Sequence, residues 1–279
     1  MQTSTSTSSR RLTLCGSLSL HPVSLGAAMH MAGYAALDLP FCYVPFGVTD
    51  LDGAIRGMRA LSIRGLGISM PYKRAVLPLC DRLDDTARSI GAANTVVNDA
   101  GQLTAFNTDV LGALGALDER VGRIAGKRVL LLGAGGAAAA IAHGVAGAGA
   151  HLRIANRDLD RGRALARAAG GDAVPFEDGV AESAEHEVII NATSVGMIEV
   201  DAQSPIPEHA IQPSQVVMDI VYKPVETELV RAARRRGATA IDGSRMLLFQ
   251  AMRQFELYTG QAAPRQAMEG ALMAQLRAS

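Results

Sequence analysis

One stretch of this 279-residue chain has the residue types and spacing that hold a diphosphate: Arg128-Val129-Leu130-Leu131-Leu132-Gly133-Ala134-Gly135-Gly136-Ala137-Ala138-Ala139-Ala140. An apolar run breaks at glycines and continues into alanines, which reads as strand, tight turn and helix. Gly133 and Gly135 can take backbone angles closed to other residues and let the main chain approach a bound group. A helix opening near Gly136 points free N–H groups and its positive dipole end at the same spot. The spacing is G-x-G-G-x-x, with Ala138 and Ala139 where a third glycine would allow close helix–strand packing. A Gly/Ala turn of purely structural use would carry the same letters.

Downstream, Asn156-Arg157-Asp158 stands where a dinucleotide site meets the adenosine ribose, with Arg161 one helical turn on. Two cations and an amide favour the 2′-phosphate of NADP. Asp158 works against that, because a carboxylate there repels phosphate and could accept from the hydroxyls of NAD instead. Asn191-Ala192-Thr193-Ser194-Val195-Gly196-Met197 opens a small polar loop from an apolar strand. In a parallel sheet such loops lie where ligands bind, although a plain Ser/Thr turn looks alike. Ser69-Met70-Pro71-Tyr72-Lys73 places a lysine just past a strand end, and Asn107-Thr108-Asp109 an aspartate at a helix start. Taken singly, such a lysine is most often a solvated charge and such an aspartate a cap. Gln250, among Met246, Leu247, Leu248, Phe249, Ala251 and Met252, is either a buried partner of backbone or a group facing a polar ligand.

The elements that would position these residues come in two alternating series. Strand patterns at residues 12–19, 41–46 and 65–70 alternate with helix patterns at 24–33 and 50–59, which predicts a parallel sheet covered by helices. Two helices, 72–79 and 84–90, follow, and 94–97 with 103–107 flank the turn cluster Asn98-Asp99-Ala100-Gly101 as a hairpin. A connecting helix over 110–117 leads to strands at 129–132, 152–156, 188–191, 216–220 and 239–242, with helices at 137–146, 160–169 and 227–236. That series is a Rossmann-type, doubly wound dinucleotide-binding domain. Two closing helices, 244–257 and 264–276, need an apolar partner, and packing back on the first unit would leave a cleft between the two. The expected organisation is a tail at 1–10, a substrate domain at 11–108 and 244–279, and an NADP-binding domain at 109–243.

Bulk composition bounds the partner. The chain is 48% hydrophobic and 19% charged, with 27 cationic and 27 anionic side chains. Such a balance has neither the basic footprint of a nucleic-acid binder nor an acidic tail, so a small molecule is expected. It carries no signal of oligomeric state. Cys15, Cys42 and Cys80 are too far apart for a zinc motif or a disulfide framework and point to the reducing cytoplasm. The uncharged window 129–150 is long enough for a bilayer, but its glycine turn and His143 read better as a buried strand and helix.

From about Leu14 onward the chain resembles the shikimate dehydrogenase family. The resemblance is carried by Ser69–Lys73, Gly91-Ala92-Ala93-Asn94-Thr95, Asn107-Thr108-Asp109, Gly133–Gly136, Asn156-Arg157, Asn191–Met197, the run from Asp219 to Pro224 with Tyr222, and Asp242-Gly243 leading to Gln250. The runs 18–22, 225–227 and 254–259 look like the shikimate dehydrogenase-like, shikimate/quinate branch. The resemblance implies that Lys73 and Asp109 are a catalytic pair beside the oxidised alcohol, passing its proton while hydride moves to a nicotinamide. It makes Ser24, Ser69, Asn94, Tyr222 and Gln250 substrate contacts. It makes Gly133, Ala134, Gly135, Gly136, Asn156, Arg157, Asp158, Arg161, Thr193 and Gly243 the cofactor site, with no metal.

Two departures bear on the substrate. The family's paired amino-terminal serines stand here as Pro22 and Ser24, and an asparagine expected two residues before Ser69 is Gly67. A donor lost from a site built to hydrogen-bond can change discrimination by orders of magnitude; Ser17 or Ser19 could compensate. The expected function is an NADP-dependent dehydrogenase of shikimate or a related cyclic hydroxy acid. The alternatives are a quinate or other polyol-acid dehydrogenase using NAD, and a dinucleotide-dependent sensor without turnover.

Overall fold

The computed structural model describes residues 11–197 and 200–278. The expected tail, residues 1–10, lies outside them. The chain forms two six-stranded sheets, one after the other. The first contains β1 (Thr13–Ser19), β2 (Phe41–Gly47), β3 (Gly65–Ile68), β4 (Arg82–Leu83), β5 (Thr95–Asp99) and β6 (Gln102–Phe106), in the order β2-β1-β3-β5-β6-β4. β1 pairs in parallel with β2 and β3, as the alternation predicts. The β5–β6 hairpin joins β3 antiparallel, so the sheet is mixed rather than parallel throughout. Its two-residue turn is Ala100-Gly101, both at positive φ, the geometry whose twist suits a tight hairpin. Helices α1 (Leu25–Ala36), α2 (Leu51–Ala60) and α3 (Asp85–Ile90) complete this unit.

The helix expected at 72–79 does not form. Pro71 and Pro78 each lack an N–H, and the segment folds as turns ending in a single 3-10 turn, Leu77–Leu79. This irregular stretch holds Lys73, whose carbonyl accepts from the Ala93 N–H at 2.8 Å.

The second unit begins with α4 (Asp109–Val121). Then come β7 (Arg128–Leu132), α5 (Gly136–Gly147), β8 (His151–Asn156), α6 (Leu159–Ala169), β9 (Asp172–Pro175), α7 (Phe176–Ala181), β10 (Val188–Asn191), β11 (Val216–Asp219), α8 (Glu228–Arg235) and β12 (Thr239–Ile241). The sheet order β12-β11-β10-β7-β8-β9 is parallel throughout, and it reverses direction at β7, where a doubly wound sheet binds nucleotides. β9 and α7 have no counterpart in the sequence reading, because Gly170, Gly171 and Pro175 mask a short edge strand as a loop. Both faces of the sheet are covered, which explains why β7 and β10 are continuous apolar runs: Val129 to Leu132 and Val188 to Ile190 are fully buried. Side-chain caps start five of the helices: Asp50, Asp84, Asp158, Thr227 and Asp242 each accept a backbone N–H from the first turn of α2, α3, α6, α8 and the following α9.

The chain ends with α9 (Gly243–Thr259) and α10 (Arg265–Ala278). Leu248, Ala251, Phe255 and Tyr258 of α9 and Met268 and Leu272 of α10 bury against β1, β2 and α1, so both helices return to the first sheet. Met246, at the start of α9, belongs instead to the core of the second unit. α9 therefore spans both units, and α4 lies against it. Glycines make that approach close: a Cβ on Gly112 would lie 2.8 Å from the Met246 carbonyl oxygen, and one on Gly115 2.8 Å from the Phe249 ring. Arg245 fastens the crossing by pairing with Glu119 of α4 at 2.6 Å and with Glu269 of α10 at 2.5 Å.

Candidate active site

Lys73 and Asp109, separated by 36 positions, meet at 2.6 Å between Nζ and Oδ2. Asp109 is the first residue of α4 and is 3% exposed, so its carboxylate sits at the positive end of the helix dipole. Its other oxygen accepts from Asn94 Nδ2 at 2.8 Å. Asn94, buried at the entry to β5, is the organiser. The same amide nitrogen lies 3.0 Å from Thr108 Oγ1 and 3.0 Å from Gln250 Oε1. Its oxygen accepts from the Thr108 N–H at 2.8 Å and from the Thr95 hydroxyl at 2.9 Å. The turn before Asp109 is held as well, because Asn107 Oδ1 accepts the Asp109 N–H at 3.1 Å while its amide donates to the Ala92 carbonyl at 2.9 Å. Gln250 therefore faces the polar cluster rather than capping backbone.

The structure brings together Lys73, Asp109, Asn94 and Gln250. Ser24 and Ser69 are exposed at the carboxyl end of the first sheet and touch none of these four through a hydrogen bond among the described residues. Tyr222 lies half-buried beyond β11. The segment before it presses on the start of α9: a Cβ on Gly243 would meet the Ile220 and Val221 carbonyl oxygens at 2.6 and 2.5 Å, so only glycine permits that approach. Gln254, one turn beyond Gln250, was not singled out from the sequence, although spacing of four puts both amides on one face of a helix. It donates to Thr95 Oγ1 at 2.9 Å and to the Asn94 carbonyl at 3.3 Å, bracing the organiser from behind.

The glycine turn forms a cradle. Gly133 has φ of +106°, and a Cβ there would lie 3.0 Å from the Ala192 carbonyl oxygen, so the turn closes against the loop after β10. Cβ atoms on Gly135 or Gly136 would meet nothing within 4 Å, and no side chain caps α5, whose free N–H groups face that open space. These residues fit a dinucleotide diphosphate. Asn191 shapes the neighbouring loop: its Oδ1 accepts from the Thr193 hydroxyl at 2.7 Å, and its Nδ2 donates to the Val195 carbonyl and to Asp219 Oδ1, each at 2.9 Å. Asp219 also accepts from the Thr227 hydroxyl at 2.6 Å and the Val221 N–H at 3.0 Å. Burial nevertheless outweighs these donors and pushes its carboxyl up to about 6.

At the end of β8, Asn156 donates to the Asp158 carbonyl at 2.7 Å, and Asp158 Oδ1 accepts the Arg161 N–H at 3.0 Å. The Asp158 carboxylate is thus engaged in capping α6. Arg157 and Arg161 are exposed, and neither guanidinium has a partner among the described residues. Those residues contain no cluster of three or more metal-ligating side chains, and none of their helices is long and apolar enough to cross a membrane.

The fold and site define a two-domain oxidoreductase acting on CH–OH groups. Residues 21–96 match the shikimate dehydrogenase substrate binding domain, 116–233 the shikimate/quinate 5-dehydrogenase model, and 243–273 the shikimate 5′-dehydrogenase C-terminal domain. The chain is similar to the shikimate dehydrogenase (NADP(+)) of Moorella thermoacetica, 40% identical over 272 residues that cover 93% of this chain and 92% of that one. Among solved structures, shikimate 5-dehydrogenase from Thermus thermophilus in complex with NADP(H) and shikimate superimposes with a TM-score of 0.86 at 34% identity, covering 95% and 99% of the two chains. Quinate dehydrogenase from Corynebacterium glutamicum in complex with NAD gives 0.88 at 31%, covering 95% and 100%. The chain belongs to the shikimate dehydrogenase family.

Proposed function

We propose that this protein is an NADP-dependent dehydrogenase that reversibly oxidises a ring hydroxyl of shikimate, or of a closely related cyclic hydroxy acid, to the ketone. The observation that carries the reading is the Lys73–Asp109 pair, joined at 2.6 Å and anchored by Asn94. A bound nicotinamide dinucleotide supplies the two-electron acceptor. The carbinol oxygen lies against the pair, which takes its proton as the C–H electrons leave and returns it in the reverse direction. Asn94 and Gln250 hold the pair in one geometry and offer amides to neighbouring hydroxyls. Ser24, Ser69 and Tyr222 complete the substrate contacts from the rim.

Gly133, Ala134, Gly135 and Gly136 receive the diphosphate, while Thr193 and Gly243 border the nicotinamide side. Asn156, Arg157 and Arg161 face the adenosine end, where Asp158 acts through the cap it gives α6. The two unpartnered guanidiniums beside an already engaged carboxylate support NADP over NAD. The substrate is a small molecule.

The test is reduction of NADP by the purified protein with shikimate or quinate, beside Lys73→Met. We expect turnover with shikimate and NADP, and at least a roughly hundredfold loss of kcat in the variant with NADP affinity retained. Turnover unaffected by Lys73→Met would overturn the assignment of the pair; tight NADP binding without turnover on either acid would favour the sensor.

A further inference from the structure

Asn94 is held at both ends of its amide by groups whose direction is fixed. The Thr108 N–H can only donate, and it lies 2.8 Å from Oδ1, so that atom is the carbonyl oxygen. The Asp109 carboxylate, paired with Lys73, accepts at 2.8 Å from Nδ2, and Gln250 Oε1 accepts the second N–H of the same nitrogen at 3.0 Å. The Thr108 hydroxyl stands 3.0 Å from the nitrogen and 3.2 Å from the oxygen and favours neither orientation. The other bond to Oδ1 comes from the Thr95 hydroxyl at 2.9 Å. Thr95 opens β5 and is paired on both sides, to Gly67 of β3 and to Phe106 of β6, so the sheet holds its hydroxyl in place.

A hydroxyl has one proton, and where it points depends on the group behind it. Behind Thr95 is Gln254 of α9, whose Nε2 lies 2.9 Å from Oγ1. The same nitrogen lies 3.3 Å from the Asn94 backbone carbonyl, which can only accept, so Gln254 presents N–H groups on this side. Thr95 therefore accepts from Gln254 and gives its own proton to Asn94. The bonds run in one direction, from Gln254 through Thr95 and Asn94 to Asp109, and Lys73 donates to Asp109 as well. Thr95 is 0%, Asn94 2% and Gln254 9% exposed, so a bond lost here is not replaced by bulk water. Aligned bonds in such surroundings polarise one another in the same sense.

We propose that Thr95 and Gln254 are positioning residues for the catalytic pair: the directed hydroxyl of Thr95 fixes the Asn94 amide in the orientation that donates to Asp109, and Gln254 fixes the hydroxyl. Neither is hydrogen-bonded to Lys73 or Asp109 among the described residues, and both act through Asn94. Gln250 and Gln254, one turn apart on α9, thus set the two ends of one amide. Gln250 takes its second N–H, and Gln254 directs the proton that its oxygen receives. This inference rests on the dehydrogenase reading above and adds the groups that orient its acid–base pair.

The experiment is NADP reduction by shikimate in the wild type, Thr95→Val, Thr95→Ser, Gln254→Leu and the double variant Thr95→Val with Gln254→Leu. In each, kcat is referred to the sites titrated by NADP, so that unfolded protein does not count. Thr95→Val keeps the shape and removes the proton donor. The expected result is a fall of about tenfold or more in kcat per site with the Kd of NADP within about twofold, while Thr95→Ser, which keeps the hydroxyl, stays within about threefold of the wild type. Gln254→Leu should lower kcat by a smaller factor, and it carries the test if Thr95→Val folds poorly. Because both residues act through one bond, the double variant should lose no more than Thr95→Val alone. An unchanged kcat in Thr95→Val, or equal losses in Thr95→Val and Thr95→Ser, would overturn the positioning role, and additive losses in the double variant would overturn the action through a single bond. A wild type that binds NADP without oxidising shikimate would overturn both this inference and the reading beneath it.

Discussion

Arg157 and Asp158 stand side by side, and their types alone argue for opposite cofactors. Geometry separates them. The Asp158 carboxylate accepts the Arg161 N–H as the cap of α6, whereas the Arg157 and Arg161 guanidiniums have no partner among the described residues. An engaged carboxylate has less capacity left for ribose hydroxyls, and two unpaired cations at an exposed strand end are suited to phosphate. Arg157→Ala should therefore raise the Kd of NADP at least about tenfold and that of NAD less than about twofold, the difference being one charge-assisted hydrogen bond to the 2′-phosphate. Titration of both dinucleotides against both proteins checks it; an equal loss would assign Arg157 to folding. The acid–base pair shows the same dependence on surroundings. Taken singly, Lys73 reads as a solvated charge and Asp109 as a cap, and they become a unit through Asn94 and the start of α4.

At the scale of elements, the glycine turn between β7 and α5 does two jobs with separable costs. Gly133 must adopt φ of +106°, and a Cβ there would press on the Ala192 carbonyl oxygen at 3.0 Å. Gly133→Ala should destabilise the fold by about 1 to 3 kcal/mol from backbone strain and shift the loop after β10. That loop carries Thr193, so NADP affinity should fall along with stability, read by denaturant unfolding and by cofactor titration. Full stability with full affinity would mean that the turn tolerates a side chain. The caps on α2, α3, α6, α8 and α9 are local events, a side chain bonding a backbone N–H two or three residues on. Residues 72–79, where a helix is expected, stay irregular: Pro71 and Pro78 each lack an N–H, and a single 3-10 turn forms at Leu77–Leu79.

For the molecule as a whole, stability and the cofactor loop are coupled through one buried acid. Asp219 ties Asn191, Val221 and Thr227 together beneath the loop after β10. Burial holds its carboxyl up at about 6 in the fold, against 3.8 for an aspartate free of the fold. The folded state therefore holds a proton that the unfolded chain releases first. The stabilisation is complete below the lower value and is lost as pH rises through the upper one. The stability difference between the wild type and Asp219→Asn should shift against the wild type by about 2 kcal/mol between about pH 4 and about pH 7. Urea denaturation at the two pH values checks it, and a pH-independent difference would show that the proton is not taken up on folding. Elsewhere, α9 joins the two units, with Arg245 bound to Glu119 and Glu269 at the crossing.

The sequence by itself determined the local parts: the glycine turn, the hairpin turn, the apolar strands of the second sheet, and motifs whose order identifies the family. Each is set by residues within a few positions of one another, where propensity and side-chain chemistry act without a partner from afar. Only the tertiary structure decided which of those parts meet. Lys73 reaches Asp109 across 36 positions, and Gln250 reaches Asn94 across 156. Such contacts depend on which strands pair and how closely two helices approach. Those outcomes come from summed burial across the whole core, and no single stretch of chain encodes them.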